Sequence, residues 1–310
     1  MMVSRIVRDQ RPDAGGAAAS QAPGHRRPAR EPRSARAGKP GRPPVGVLVA
    51  LGVFALLVLA AVAPSLVAPQ SPLASDPANS FAGPSAEHWL GTDQLGRDQF
   101  SRLVHGARYS ILLGIGATLI GLTGGIVLGV VAGYARGTWD RAITRLLDVL
   151  LAFPDVLVAL VTITVLGPGE WSLIWAVGLG RIPGSARLVR GEVLRVRETG
   201  FVRSGIGLGL SPARLVVRHV LPNSLGPVLV HAVLGVGVSI IFGASLSFLG
   251  LGAVPPTPEW GLMLSEARQY LSIAPWVAIW PGLLITITVV SITVVGRFAQ
   301  QRFITKRSSL

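Results

Sequence analysis

Cysteine is absent from this chain, and lysine is nearly so, with only Lys39 and Lys306. The first absence excludes a disulfide framework, thiolate metal sites and a cysteine nucleophile. Charge is scarce as well: 14% of residues are Asp, Glu, Lys or Arg, against about 25% in soluble domains. The phosphate loop G-x-x-x-x-G-K-[ST] is missing too. The one Gly-Lys pair, Gly38-Lys39, is followed by Pro40. His88, Asp93 and His105 fit no standard metal-ligand spacing, so no metal site is expected.

What remains is membrane composition. Half of the residues are hydrophobic and the mean hydropathy is +0.54. The net charge of +14 and the pI near 11.6 invite a nucleic-acid reading, but the placement of the arginines gives another answer.

Residues 1–44 are rich in Arg, Pro, Gly and Ala without apolar periodicity, which predicts a disordered basic tail. A first span is expected over 45–67, about 20 apolar residues and enough to cross a bilayer. Pro64 follows the A-x-A-like stretch Ala61-Val62-Ala63, so the helix is read as retained and not cleaved. A polar loop over 68–108 precedes a five-helix core over 109–299. Its spans are expected at about Tyr109–Tyr134, Leu146–Leu166, Trp171–Val189, Leu225–Leu249 and Pro275–Ala299. A short tail covers 300–310. The class is therefore an all-α polytopic membrane protein with six transmembrane helices. Gly, Ser and Thr are frequent within the spans, which permits close helix packing.

Six spans place both termini on one side. That side holds 24 of the 29 Lys and Arg residues, the opposite loops hold four (Arg97, Arg102, Arg108, Arg268), and Arg181 lies inside a span. By the positive-inside rule the termini are cytoplasmic, and the basic pI is accounted for without nucleic acid. Tyr109, Tyr134, Trp171, Trp276 and Trp280 fall near expected membrane boundaries, where aromatic rings concentrate. The basic tail also suits contact with anionic membrane lipid.

The stretch Arg195–Asn223 is polar and basic between apolar spans, and much longer than the usual connection of about 2–8 residues. It reads as a cytoplasmic docking element. Gly209 suits a sharp turn; Ser211 and Pro212 suit the N-cap and first turn of a second helix. On the opposite side, Asp93, Arg97 and Asp98 suggest a charge-paired turn facing a partner, and Glu259-Trp260-Gly261 suggests part of an outer gate or dock. Asp155 and Arg181 are ionisable groups at apparent mid-depth, expected to pair or to line a pathway.

Arg195–Asn223 resembles the EAA loop of permease subunits in bacterial ABC importers: E-A-A, three residues, Gly, nine residues, Ile, one residue, Leu-Pro. Gly209 and Leu221-Pro222 match with the correct spacing. Arg203-Ser204-Gly205 occupies the E-A-A positions, so the Glu is missing, and His219 replaces the Ile. His88–Ser110, Asp148–Leu160, Arg218–Val230, Ser247–Arg268 and Pro281–Ser291 are similar to the C-type permease of dipeptide, oligopeptide and nickel importers. The resemblance covers about residues 45–300. It implies a type I importer permease fold in the bacterial cytoplasmic membrane. It also implies a homologous B-type permease partner, two cytoplasmic ATPases that carry ATP and Mg, and an extracytoplasmic solute-binding protein. The chain itself would bind no cofactor and catalyse no reaction. Arg203, Ser204, Gly205, Gly209, Ser211, Leu221 and Pro222 would couple it to the ATPases. Peptide is the first expected solute and nickel the second. A proton-coupled secondary transporter with Asp155 as carrier is the competing class; it predicts internal repeats that are not evident, and it leaves the central stretch without a purpose. A membrane-anchored nucleic-acid binder would need a soluble domain that the sequence lacks.

Overall fold

A computed structural model describes residues 44–135 and 137–307, with backbone alone at Ala213 and at 302–307. The basic tail expected over 1–44 lies outside the described residues except for Pro44. The regular secondary structure of the described chain is helical apart from one isolated bridge between Thr92 and Asp98.

The helices are α1 Val45–Val62, α2 Pro64–Val67, α3 Gln99–Ala135, α4 Thr138–Ala152 and α5 Asp155–Leu166. There follow α6 Glu170–Arg197, α7 Gly200–Gly207, α8 Pro212–Leu215, α9 Leu221–Phe248, α10 Trp260–Ala267 and α11 Trp276–Arg307. A π-helical turn, Val216–Val220, joins α8 to α9.

Several expected boundaries move, each for a local reason. The first span stops at Val62, because Pro64 lacks an amide donor and starts a separate turn. The second begins at Gln99, ten residues before Tyr109: the Asp98 carboxylate accepts the Ser101 amide at 2.7 Å and caps it. The third is not one rod. Phe153-Pro154 interrupts it, and α4 and α5 meet at 93°, as the restriction before and at proline requires. Four described helices are long and apolar enough to cross a membrane, and five if the bent pair is one span. The expected fourth span, α6, has the length but carries Arg181, Pro183 and Arg187 in the stretch that would have to be apolar.

α3 and α6 pack along most of their length. Gly121, Gly125, Gly129 and Gly133, one turn apart on α3, face α6. A Cβ added at Gly121 would lie 2.7 Å from Arg181 Cβ, one at Gly129 2.7 Å from Val189 Cβ, and one at Gly133 2.8 Å from Val193. The facing numbers rise together, so the two helices run parallel. α9 lies antiparallel across both, with Gly114 against Ile240, and Ser185 near His231. α1 and α11 pack outside this trio, where Leu57 and Ala60 join Leu103, Ala107 and Ile111 of α3 in a core that includes Trp260.

At the N-terminal end of α3 the chain folds back over itself. Asp93 accepts the amides of Leu95 and Arg97 and the Arg97 Nε at 2.7 Å, and it stands 3.4 Å from Arg102 Nε. Glu266 of α10 completes the cluster, 3.0 Å from Arg102 Nη2 and 3.5 Å from Arg97 Nη2. Two cations and two anions thus meet, with Arg97, Arg102 and Asp93 buried and Glu266 partly so. Glu259 caps α10 by accepting the amides of Gly261 and Leu262 at 2.9 and 2.8 Å. Trp260 Nε1 donates to the Leu103 carbonyl at 2.9 Å.

Three predictions follow from this packing. Gly129→Leu forces its side chain into Val189 and the Ala186 carbonyl, so a loss of about 3 kcal/mol or more is expected, read as a lower melting temperature of the purified protein in detergent. Asp93→Asn leaves Arg97 and Arg102 sharing Glu266 alone, with an expected loss of roughly 3–5 kcal/mol. Burial pushes the Glu259 carboxyl above the usual glutamate range, outweighing the two amides that favour its charged form. The stability tied to this group is therefore complete below about pH 4.3, the unfolded value, and is lost as pH rises through the raised folded value. Glu259→Gln cannot ionise, so a melting temperature that falls with pH as steeply as in the native chain would refute this assignment.

Candidate functional site

The central stretch is mostly helical, with breaks at 198–199 and 208–211. α6 carries it on to Arg197, and Gly209, with φ +75°, supplies the turn between α7 and α8. An added Cβ at 209 would meet nothing within 4 Å. The glycine is therefore needed for its left-handed backbone and not for space. Gly205 is buried instead: a Cβ there would stand 3.3 Å from Leu210. Pro212 opens α8, and the Ser211 carbonyl accepts the Leu215 amide at 3.0 Å. Leu221-Pro222 begins α9.

Beneath α7 and α8 sits a small core of Val189, Val193, Val196, Val202, Leu215, Val220 and Val228. It binds the stretch to both α6 and α9. Arg197 fastens it to α3: Nη1 donates to the Tyr134 carbonyl at 2.8 Å, and the guanidinium lies 5.1 Å from the Tyr134 ring centre. This satisfies a carbonyl at the end of α3 and places a cation at its negative dipole end. Two ion pairs tie α4 to α6 nearby, Arg190 to Asp140 at 2.7 Å and Arg187 to Asp148 at 2.5 Å.

The outward face combines apolar and basic groups. Leu208 is 83% exposed, Phe201, Ile206 and Val217 are exposed too, and Arg203, Arg214 and Arg218 lie among them. Arg203 pairs with Glu198 at 2.5 Å, and Ser204 is exposed beside it. Among the described residues the face holds no metal ligand set. It presents greasy knobs ringed by cations, suited to a groove with an acidic rim.

The other sequence-derived residues fall elsewhere. Asp93, Arg97, Asp98, Glu259 and Trp260 are all buried and bonded within the chain: Asp98 holds His88 at 3.0 Å and caps α3. They fasten the fold at that end, and their side chains do not face a partner, because each carboxylate already accepts donors from its own chain. Asp155 is not inside a continuous helix; it opens α5 just past the bend and is exposed. No ion pair within 4.0 Å joins it to Arg181 among the described residues, although its charge acts on that guanidinium over a longer distance. The expected close pair is thus not present, because the break at Pro154 moves Asp155 to a helix end.

Two features went unread in the sequence. The exposed Phe201, Ile206 and Leu208 carry the contact character of the stretch; alternation of Gly with large apolar residues in GIGLGL was the available signal. A polar seam also crosses the helix trio. Thr118 Oγ1 and Ser239 Oγ lie 3.2 Å apart, and Ser185 Oγ lies 3.5 Å from His231 Nε2. Only the one-turn spacing of His231, Gly235 and Ser239 hinted at it.

Known proteins match this arrangement. Residues 125–309 match the family described as the binding-protein-dependent transport system inner membrane component. The dipeptide transport system permease protein DppC of Alkalihalophilus pseudofirmus is 41% identical over 250 residues, 80% of this chain and 82% of that protein. The glutathione transport system permease protein GsiD of Pectobacterium atrosepticum is 44% identical over 256 residues, 81% and 84% of the two. Among solved structures, the MetNI methionine ABC transporter in an inward-facing conformation aligns with TM-score 0.55 at 19% identity, over 65% of this chain and 95% of that one. An amino acid ABC transporter crystallised with histidines aligns at TM-score 0.53 and 12% identity, over 65% and 94%. At such low identity the structural likeness is one of fold. Since the family match spans more than half of the chain and the relatives four-fifths of it, the chain belongs to the binding-protein-dependent transport system inner membrane components, the permeases of ABC importers.

Proposed function

We propose that this permease conducts short peptides inward and that Arg195–Asn223 is where separate ATPase subunits drive it. The observation that carries the solute class is the identity of 41% to 44% over four-fifths of the chain to permeases named for dipeptide and glutathione transport. Both are peptides, which favours peptide over nickel. Family membership displaces the proton-coupled transporter.

In this reading α7 and α8 form a coupling helix pair that docks in a groove of an ATPase. Phe201, Ile206 and Leu208 fill the groove, Arg203 and Ser204 meet its rim, and Gly205 and Gly209 set the shape of the pair. Ser211 and Leu221-Pro222 set where α8 and α9 begin. ATP with Mg is held by two cytoplasmic ATPases, a homologous B-type permease completes the path, and an extracytoplasmic protein delivers the solute. Both termini then lie in the cytoplasm. Closure of the ATPases draws the coupling pairs together and rocks α6 and α9, which bracket each pair, from an inward-facing to an outward-facing arrangement. The drive requires that the ATPases hold the two states with different affinity.

The test is co-purification in detergent of tagged chain expressed with the genes flanking its own. The native chain is expected to bring down both the partner permease and ATPase activity. Leu208→Glu puts a charge on the most exposed apolar knob, and Gly209→Trp imposes a strained left-handed backbone. Each should retain the partner permease and lose ATPase activity at least tenfold. ATPase that stays bound to both variants would overturn the docking assignment. Uptake of dipeptide and of Ni²⁺ by the reconstituted complex separates the two solute readings.

A further inference from the structure

The guanidinium of Arg181 belongs neither to the buried apolar clusters nor to the coupling face. It lies about 11 residues into α6, roughly 16 Å along a helix rising 1.5 Å per residue, which is mid-depth for a helix that crosses a bilayer core of about 30 Å. Three helices make room for it. On α3, Gly121 faces its stem, where an added Cβ would stand 2.7 Å from Arg181 Cβ. On α9, Gly235 faces its head, where an added Cβ would stand 2.5 Å from Nη2. One turn from each of these positions, Ser185 of α6 and His231 of α9 approach to 3.5 Å. The side chain is partly exposed. No carboxylate lies within 4.0 Å of it among the described residues, and Asp155 reaches it only over a longer distance.

A charge at this depth is costly and marks a site by default. Arginine holds its charge at any physiological pH, and its planar fork fits a carboxylate through two parallel hydrogen bonds. Ser185 and His231 add a hydroxyl and an imidazole beside it. Every unmodified peptide carries one group of the matching chemistry whatever its side chains: the C-terminal carboxylate. A permease that accepts many sequences gains most from binding what all of them share. We propose that Arg181, positioned by Gly121 and Gly235 and flanked by Ser185 and His231, binds the terminal carboxylate of the peptide in transit. The proposal rests on the peptide reading above.

The experiment uses the complete importer, permeases, ATPases and binding protein, in proteoliposomes. Uptake of one dipeptide is compared as free acid and as C-terminal amide, for the native chain, Arg181→Gln and Gly235→Ala. Native uptake of either form upholds the peptide reading independently; uptake of neither defeats that reading and this proposal with it. Arg181→Gln is expected to lower free-acid uptake at least tenfold and to leave amide uptake within about twofold, so the acid-to-amide ratio collapses. Gly235→Ala keeps the charge but displaces the guanidinium, and is expected to raise KM for the acid alone. An equal fall of both forms in Arg181→Gln, or an unchanged ratio in both variants, would overturn the proposal, because a purely structural arginine affects both peptides alike.

Discussion

The close approach of α3 and α6 governs where everything else in this permease can lie. Four glycines at one-turn spacing, Gly121 to Gly133, leave no Cβ between the helices, and at each of them even a methyl group would overlap a side chain or backbone atom of α6. In a membrane, where lipid tails solvate an apolar face as well as a neighbouring helix does, such backbone proximity and the dispersion contacts it allows are a main source of association. The ladder also fixes register. It sets Arg181 against Gly121 at one level, and one turn beyond Val193, which faces the last glycine, it leaves Arg197 able to cap α3 at Tyr134. A shift of one residue would swing both arginines off their partners.

The arginines show how the chain handles cations in three settings. Arg97 and Arg102 are buried, and Asp93 with Glu266 neutralises them. Arg187 and Arg190 sit partly in solvent and hold α4 to α6 through Asp148 and Asp140; such pairs contribute little individually, about 0–1 kcal/mol. Arg181 alone of these five has no carboxylate within 4.0 Å. The largely buried four-charge cluster is compensated within the chain. Arg181, at mid-helix, has no carboxylate that close among the described residues, and this contrast, more than its place in α6, separates it from the rest.

Much of this was legible in the residues. Hydrophobic runs located most of the helices, and the polar, basic composition of Arg195–Asn223 between apolar runs located the central stretch, because both depend on local chemistry. Proline and cap effects are also written locally: Pro154 bends the third span, and Asp98 starts α3 early. What escaped depends on pairings distant in sequence. Nothing near Asp93 announces Glu266, 173 positions on, so Asp93 and Arg97 looked free to face a partner. Arg181 and Asp155 were matched by apparent depth alone, and depth does not report which face of a helix a side chain occupies. Gly235, which accommodates the guanidinium, looked like one small residue among many.

The same geometry joins the two proposed sites mechanically. α6 runs unbroken from Glu170 to Arg197, so Arg181 and the root of the coupling pair share one rod, about 24 Å apart. α9 starts at the other root and carries His231 and Gly235 to the same level as Arg181. α7 and α8 bridge the two, over a common valine-rich core. A push on that bridge therefore has two routes to the seam, and any difference between them alters the gap in which the guanidinium, Ser185 and His231 meet. Pro183, two residues beyond Arg181, cannot donate the hydrogen bond a helix interior expects, which makes that level of α6 the least stiff. Packed helices shift between discrete arrangements more readily than they deform. A small change in the angle between α6 and α9 would then suffice to open the carboxylate site in one state and close it in the other, which is what a solute must meet if binding on one side is to become release on the other.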